Sequence, residues 1–292
     1  MVGDQVDGAG IPTRTLVESM IREDASIDAG ELYAVGNALG MSDQQVRLCV
    51  RRLVGEGQFT QEGRGRKALL RAGDGMRRSI EPEPEYIRYM YAQDRGAAPW
   101  DGVWHAVAFA VPESVRQGRD AMRDAIVYLG GAAIQGGLYV SPNAWESRIA
   151  DAAREFEVGE YITTMTTTDL RIGALAEPRE LAARLWPLER LAAEHERLLR
   201  VARRQLDRLH AVESMSQTER LTIAVELAAE FSRVMDPDPL LPPELLPTPW
   251  IGAESRAVVA QCWSELLRVE QPGSIRLFRV YADVLREAAA AR

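Results

Sequence analysis

The 292-residue sequence predicts an α+β fold that is mostly α, on three observations. Residues 13–80 hold three short helical patterns and then a Gly- and Arg-rich hairpin signal. Residues 99–176 alternate between strand-like and helix-like hydrophobic periods, and residues 177–292 are almost entirely of helical period. The length fits two or three domains at the usual ~100–200 residues each. With 46% hydrophobic and 27% charged residues, the composition is that of a globular chain. No apolar run reaches the ~18–20 residues of a membrane helix, and the N-terminus lacks a basic, then apolar, leader. The expected location is therefore the cytoplasm, with no membrane partner.

Residues 1–12 are Gly- and Asp-rich and are expected to form a disordered tail. A first helix is expected over 13–23, where Leu16, Val17, Met20 and Ile21 share a face. The second opens on Asp28 with Glu31 three places on, a capping-box pattern, and stops at Gly40. The third starts from Ser42 with Gln45 three places on and ends at "GEG". Two capped helices joined through Gly40 and Met41 fit a helix-turn-helix.

In the third helix Val46, Cys49, Val50 and Leu53 share a core stripe, while Gln44, Leu48, Arg51 and Arg52 face the other way, flanked by Gln45 and Arg47. That outer face carries no acid. Arg bonds guanine, Gln bonds adenine and Leu packs on a thymine methyl, so these residue types suit major-groove readout. "QFTQEGRGRKALLRA" then predicts two short strands around a tight Gly-Arg-Gly-Arg tip, from which Arg64, Arg66 and Lys67 project as a wing that neutralises phosphates. The whole chain has net charge -8, yet nine basic residues stand against four acidic ones between Ser42 and Ile80. Residues 13–80 are thus predicted to be a winged helix-turn-helix that binds a double-stranded DNA operator through Ser42, Gln44, Gln45, Arg47, Leu48, Arg51, Arg52, Arg64, Arg66 and Lys67.

Two Pro-Glu pairs mark a connector over 81–98. "WDGVWHAVAFAV" predicts a buried strand halted by Pro112, followed by a helix with Val115, Met122, Ile126 and Leu129 inward. A hairpin around Gly136-Gly137, a second helix over 143–156 and a β-branched final strand complete a βαββαβ order over 99–176, the ferredoxin-like arrangement. From 177 to 292 a C-terminal helical domain is expected, with a break near Pro187, where the ring and missing N–H oppose a continuous helix. "DPDPLLPPELLPTPWIG" is expected to be an ordered strap across the helices, and two final helices near 253–268 and 274–291 close the chain.

Catalysis finds little support. The only histidines are His105, expected to be a satisfied core imidazole, and His195 and His210, expected to be exposed on charged helices. None lies in a metal-binding spacing, and no P-loop, GxSxG or GxGxxG occurs, so no enzyme activity, metal or cofactor is expected. Glu81, Glu83 and Glu85 belong to a solvated run, as do Glu194 and Glu196. Cys49 and Cys262 are expected to be packed thiols, and Arg116, Arg119 and Arg123 form a helical row that offers only a weak candidate for an effector's phosphates. Two other readings stay open: a regulator-derived protein that binds a ligand or partner but no DNA, and a metal-dependent nuclease. The second needs an acid at the end of the first central strand, where Glu113 alone stands after "AFAVP" and Asp101 precedes it.

Over roughly residues 13–270 the chain resembles the PaaX family of bacterial regulators, repressors of phenylacetate degradation genes. The resemblance rests on "VRLCVRRLVGEGQFTQEGRGRK", on "WDGVWHAVAFAVPESVRQGRDAMRDAI" with "GGLYVSP", and on "DPDPLLPPELLPTPWIG", in that order. It implies a homodimeric repressor that binds an inverted repeat and is released by a small effector, an acyl- or aryl-CoA thioester such as phenylacetyl-CoA. The sequence departs from the family pattern at "ALLRAG", where an aromatic-led strand is usual, and at "DPDPLLP", which is longer than the usual Asp-Pro-x-Leu-Pro.

Overall fold

The computed structural model describes residues 10–73, 84–211, 215–268, 275–278 and 282. They fall into two compact units. One holds the chain up to residue 88 with 198–232 and the residues from 254 onward; the other holds 89–197 with 233–253. The residues expected to form one C-terminal helical domain are therefore shared between the two units.

The first unit begins with α1 Thr13–Ser19, β1 Ser26–Asp28, α2 Ala29–Ala38, α3 Asp43–Gly55, β2 Phe59–Glu62 and β3 Leu69–Ala72. The strands form an antiparallel sheet in the order β1-β3-β2. α1 stops earlier than its periodicity predicts. Asp24 Oδ1 accepts from the backbone N–H and the hydroxyl of Ser26 at 3.0 and 2.6 Å, and Ala25 adopts φ 63°, which turns the chain into β1. No local pattern predicts that strand, because its three residues are held by pairing with β3, distant in sequence, where Ile27 opposes Leu70. α2 ends in a Schellman turn: Gly40 takes φ 80° and Met41 N–H donates to Gly36 O at 2.9 Å. Leu16, Ile21, Ile27, Leu32, Val46, Leu53, Phe59 and Leu70, all buried, fill the core beneath the sheet and helices.

After α4 Pro84–Asp94, the second unit is built on β4 Trp104–Phe109, α5 Arg116–Tyr128, β5 Ala132–Gln135, β6 Leu138–Ser141, α6 Glu146–Glu155 and β7 Ile162–Thr167. The antiparallel sheet order is β5-β6-β4-β7, so α5 and α6 each join two strands that have a third between them. Alternation along β4 feeds two cores. Val107 packs with Met122, Ile126, Ile149 and Ala153 beneath α5 and α6, while Trp104 packs with Val140 on the opposite face. At the β5–β6 hairpin a Cβ on Gly137 would lie 2.1 Å from Phe109 O, so only glycine lets the hairpin approach β4 there.

The opposite face of this sheet is closed by α7 Pro178–Leu185 and by the Pro-rich strap. Leu181, Ala182, Trp186, Leu241, Leu245 and Leu246 join the Trp104 core. The strap is ordered, but its seat is the sheet and α7. Asn143 Nδ2 donates to Pro239 O at 3.1 Å and to Leu240 O at 3.0 Å, Gln93 Nε2 donates to Leu240 O at 3.1 Å, and Arg179 Nε donates to Glu244 O at 2.8 Å.

Trp186, extended before Pro187, separates α7 from α8 Leu188–Ala211, which is the break the proline predicts. α9 Gln217–Met235 and α10 Ile251–Leu267 follow. In the first unit the C-terminal half of α8 packs on α10, where Cys262 Sγ–H donates to Ala202 O at 3.2 Å and burial pushes the thiol up to about 12. Arg22 bridges Ile275, and Arg276 N–H donates to Ile21 O at 2.7 Å, so the last described segment closes against the α1–β1 turn. Residues 1–9 of the tail expected over 1–12, Glu81 with the first Pro-Glu pair (Pro82 and Glu83), and most of the helix expected over 274–291 lie outside the described residues, while the second pair, Pro84 and Glu85, opens α4 inside the connector expected over 81–98.

Candidate nucleic-acid interface

α3 is set by its own ends. Ser42 Oγ accepts from Gln45 N–H at 3.3 Å, and Ser42 N–H donates to Gln45 Oε1 at 2.8 Å, closing the capping box the sequence predicts. Both side chains are exposed and already engaged with each other. Val46, Val50 and Leu53 are buried and Cys49 is half-buried, so the opposite face is the one turned to solvent.

That face presents Gln44, Arg47, Leu48, Arg51 and Arg52 together, all exposed. Leu48 is 55% exposed, an apolar side chain among charged ones. Arg52 is shared with Glu56 at 3.6 Å, whereas Arg47 and Arg51 have no ion-pair partner among the described residues. Two long cations and an apolar side chain thus stand free on one helix face, with Gln44 beside them.

The hairpin between β2 and β3 differs from the predicted tight turn. A six-residue connection, 63–68, contains a 3-10 turn at Gly65–Lys67. Arg64 and Lys67 are exposed and unpaired among the described residues. Arg66 instead turns back: its guanidinium donates to Asp43 Oδ2 at 3.1 Å, at the first turn of α3, and stands 5.5 Å from the Tyr33 ring centroid. The Arg66 guanidinium holds the Asp43 carboxyl below the usual carboxylate range, against a smaller desolvation effect. The reason is geometric, since the 3-10 turn folds the tip toward α2 and α3 where the predicted tight turn would point it outward. Arg66 fixes the hairpin to the helix, and Arg64 and Lys67 supply the free charge.

The weak effector candidates are locally neutralised. Arg116 lies 3.8 Å from Glu113 and 3.6 Å from Asp120, Arg119 is bound to Glu113 at 2.5 Å, and Arg123 lies 3.7 Å from Asp120 and 3.3 Å from Asp124. A second arginine row, hidden in the sequence because it sits in a uniformly charged helix, lines an open groove of about 560 Å³ on α8 with Arg200, Arg203, Arg204, Asp207, Arg208 and Ala211. Arg203 pairs with Glu254 and Arg204 with Glu226, which leaves Arg200 and Arg208 without a carboxylate partner among the described residues.

His105 is satisfied as expected, with Nδ1 2.6 Å from Glu146 Oε1. His195 corrects the expectation of an exposed side chain. It is 0% exposed, its Nε2 lies 2.7 Å from Asp238 Oδ2, and its ring meets Trp250 edge-on at 6.0 Å. The strap folds back onto α8 there, a long-range contact that helical period alone cannot foresee. His210 is exposed, 3.9 Å from Glu265. The two acids the nuclease reading would need are otherwise engaged: Asp101 Oδ1 accepts from Val103 N–H at 2.9 Å, and Glu113 is held by Arg119. Among the described residues no three His, Cys, Asp or Glu side chains group as metal ligands, and no helix is long and apolar enough to cross a membrane.

Residues 97–182 match the family described as PaaX protein central Cas2-like domain, and residues 186–272 match the PaaX-like protein C-terminal domain, together more than half of the chain. The chain is 24% identical over 257 residues to the Transcriptional repressor PaaX of Escherichia coli (strain K12), a match spanning 86% of this chain and 78% of that protein. The solved structure of an uncharacterized protein from Mycobacterium tuberculosis is 22% identical, with TM-score 0.49 over 94% of this chain and 96% of that one. Two family matches in consecutive order, within the span aligned to that repressor, settle the assignment: the chain belongs to the PaaX family, whose members are transcriptional regulators and not enzymes.

Proposed function

We propose that this chain is a dimeric DNA-binding repressor that reads an inverted-repeat operator and is released from it by a small effector. In this reading residues 13–80 are a winged helix-turn-helix, 81–98 a connector, 99–176 a ferredoxin-like βαββαβ domain and 177–292 a helical domain, acting in the cytoplasm. The observation that carries it is the outer face of α3, where Arg47, Leu48 and Arg51 stand exposed together without an acid among them. Arg47 and Arg51 have the reach and donor geometry for guanine edges, Leu48 fits a thymine methyl, and Gln44 suits adenine. Arg64 and Lys67 supply the phosphate contacts that position the helix, while Ser42, Gln45 and Arg66 hold the element in shape. One such module covers a short half-site, so two copies related by a two-fold axis read an inverted repeat.

The effector class is an acyl- or aryl-CoA thioester, by relation to the family. Of the two arginine rows, the α8 groove with Arg200 and Arg208 fits an anionic ligand better than the self-paired row of Arg116, Arg119 and Arg123. The test is a titration of the protein–operator complex with CoA thioesters and free aromatic acids. An inducing compound is expected to weaken operator binding by about 5–150-fold, the usual range of allosteric coupling. Arg200→Ser with Arg208→Ser is expected to abolish that response while leaving operator affinity near wild type. If every compound leaves affinity unchanged, the inducible reading fails.

A further inference from the structure

α9 runs through the first unit as a buried rod. Leu221, Ile223, Ala224, Val225 and Leu227 are buried at positions all around its axis, so a push at one point moves the helix as a body. Polar side chains hold it at two points. Glu226, partly buried, takes Arg204 at one carboxylate oxygen and accepts from Gln205 Nε2 at the other, at 2.7 Å. Gln205 is fully buried, and its own Oε1 accepts from Arg208 at 2.9 Å. Two arginines of the α8 groove therefore converge on one carboxylate of α9.

The second point is the start of the helix. Gln217 Nε2 donates to Glu31 Oε1 at 2.5 Å, and Glu31 Oε2 accepts from Arg22 at 3.1 Å. Glu31 stands in the first turn of α2, the helix that leads through Gly40 into α3. Gln217 and Glu226 lie about two and a half turns apart, so they leave opposite sides of α9, one meeting α2 and the other α8. The same end is fixed by a capping box, in which Ser216 N–H donates to Glu219 Oε2 at 2.9 Å and Glu219 N–H donates to Ser216 Oγ at 3.3 Å. Ser216 and, more weakly, the charge of Arg208 hold the Glu219 carboxyl below its ordinary range.

We infer that α9 carries occupancy of the α8 groove to the helix-turn-helix, with Glu226 as the input and the Gln217–Glu31 bond as the output. The inference rests on the inducible reading above and names how release occurs. An anionic ligand in the groove competes with Glu226 for Arg204 and with Gln205 for Arg208. Glu226 then loses its donors and turns to water, α9 shifts by the ~1–2 Å typical of switching helices, and α2 loses its anchor. Both contacts lie on one line, so a cut at either has the same consequence.

The experiment needs no ligand. Glu226→Gln keeps the shape of the side chain and removes its charge, imitating a competing anion, and Arg204→Met makes the same cut from the α8 side. Each is expected to weaken binding to DNA from upstream of the protein's own gene by at least about fivefold, the low end of allosteric coupling. Gln217→Ala is expected to do the same, and Gln217→Ala with Glu226→Gln no more than either alone. Gln217→Lys, which returns a donor to Glu31, is expected to recover the binding that Gln217→Ala loses. Hydrogen exchange of the DNA-free protein supplies the second readout. Glu226→Gln and Arg204→Met are expected to speed exchange of the α2 amides at least about fivefold and to leave the β4 amides of the other unit unchanged, which general destabilisation would not do. Additive losses in the double variant, wild-type DNA affinity in both groove variants, or wild-type α2 exchange in both overturns the inference. The two readings part cleanly: a wild type that binds no DNA while α2 exchange still answers to Glu226 sinks only the DNA reading, and a DNA-binding wild type with unresponsive α2 sinks only the route through α9.

Discussion

Asp238→Ala is expected to lower stability by about 2–6 kcal/mol, at roughly 1–3 kcal/mol for each of the two buried hydrogen bonds it removes. The carboxylate lies 2.7 Å from the fully buried His195 imidazole, and its other oxygen accepts from Leu240 N–H at 2.8 Å. Leu240 sits at φ 48°, a backbone conformation costly for a branched residue, and the bond from Asp238 helps hold it there. Alanine strands the His195 nitrogen and frees the strap, whose leucines cover the Trp104 core of the sheet. Asp238→Asn keeps an acceptor for Leu240 and is expected to lose less. The measurement is the urea midpoint of both variants. An unchanged midpoint for Asp238→Ala would mean that the pair does not hold the strap.

The second large effect is on DNA. Arg47→Ala with Arg51→Ala is expected to cut discrimination between operator and unrelated DNA by about 2–6 kcal/mol, at roughly 1–3 kcal/mol for each guanidinium removed from a base edge. Both side chains leave the helix on the solvent side, so the melting temperature is expected to stay near wild type. Arg64→Ala with Lys67→Ala gives a different signature. In the proposed reading those residues meet phosphates, so affinity is expected to fall for all sequences alike and the salt dependence of binding to become shallower. If the α3 variant binds operator as tightly as wild type, the readout face lies elsewhere.

Much of this is legible in the sequence because it is local. The Ser42–Gln45 capping box, the buried stripe of Val46, Val50 and Leu53 and the break at Pro187 each depend on neighbours within one or two turns, and each is in the structure. The outer face of α3 follows from the same 3.6-residue period. What cannot be read depends on distant partners. β1 is three residues long and exists because β3 pairs with it. Sequence pattern projects Arg66 from the hairpin, yet Asp43 and Tyr33, far along the chain, capture its guanidinium. His195 lies in a run of charged residues that suggests solvent, and only the return of the strap, with Asp238 and Trp250, buries it. Arginine rows are equally opaque: whether a helical arginine is free depends on the carboxylates that other segments bring to it, as Glu254 and Glu226 show on α8.

The most direct measurement is a fluorescence titration of the wild-type protein with labelled DNA from the region upstream of its own gene, repeated with a scrambled duplex of the same length and composition at one stated salt concentration. A sequence-reading repressor is expected to bind the upstream DNA at least about 10³-fold more tightly than the scrambled duplex, the lower end of specific over non-specific affinity. Footprinting is expected to show two half-sites about one helical turn apart. Equal affinity for the two duplexes, or no binding to either, would contradict the assignment of α3 as a recognition helix.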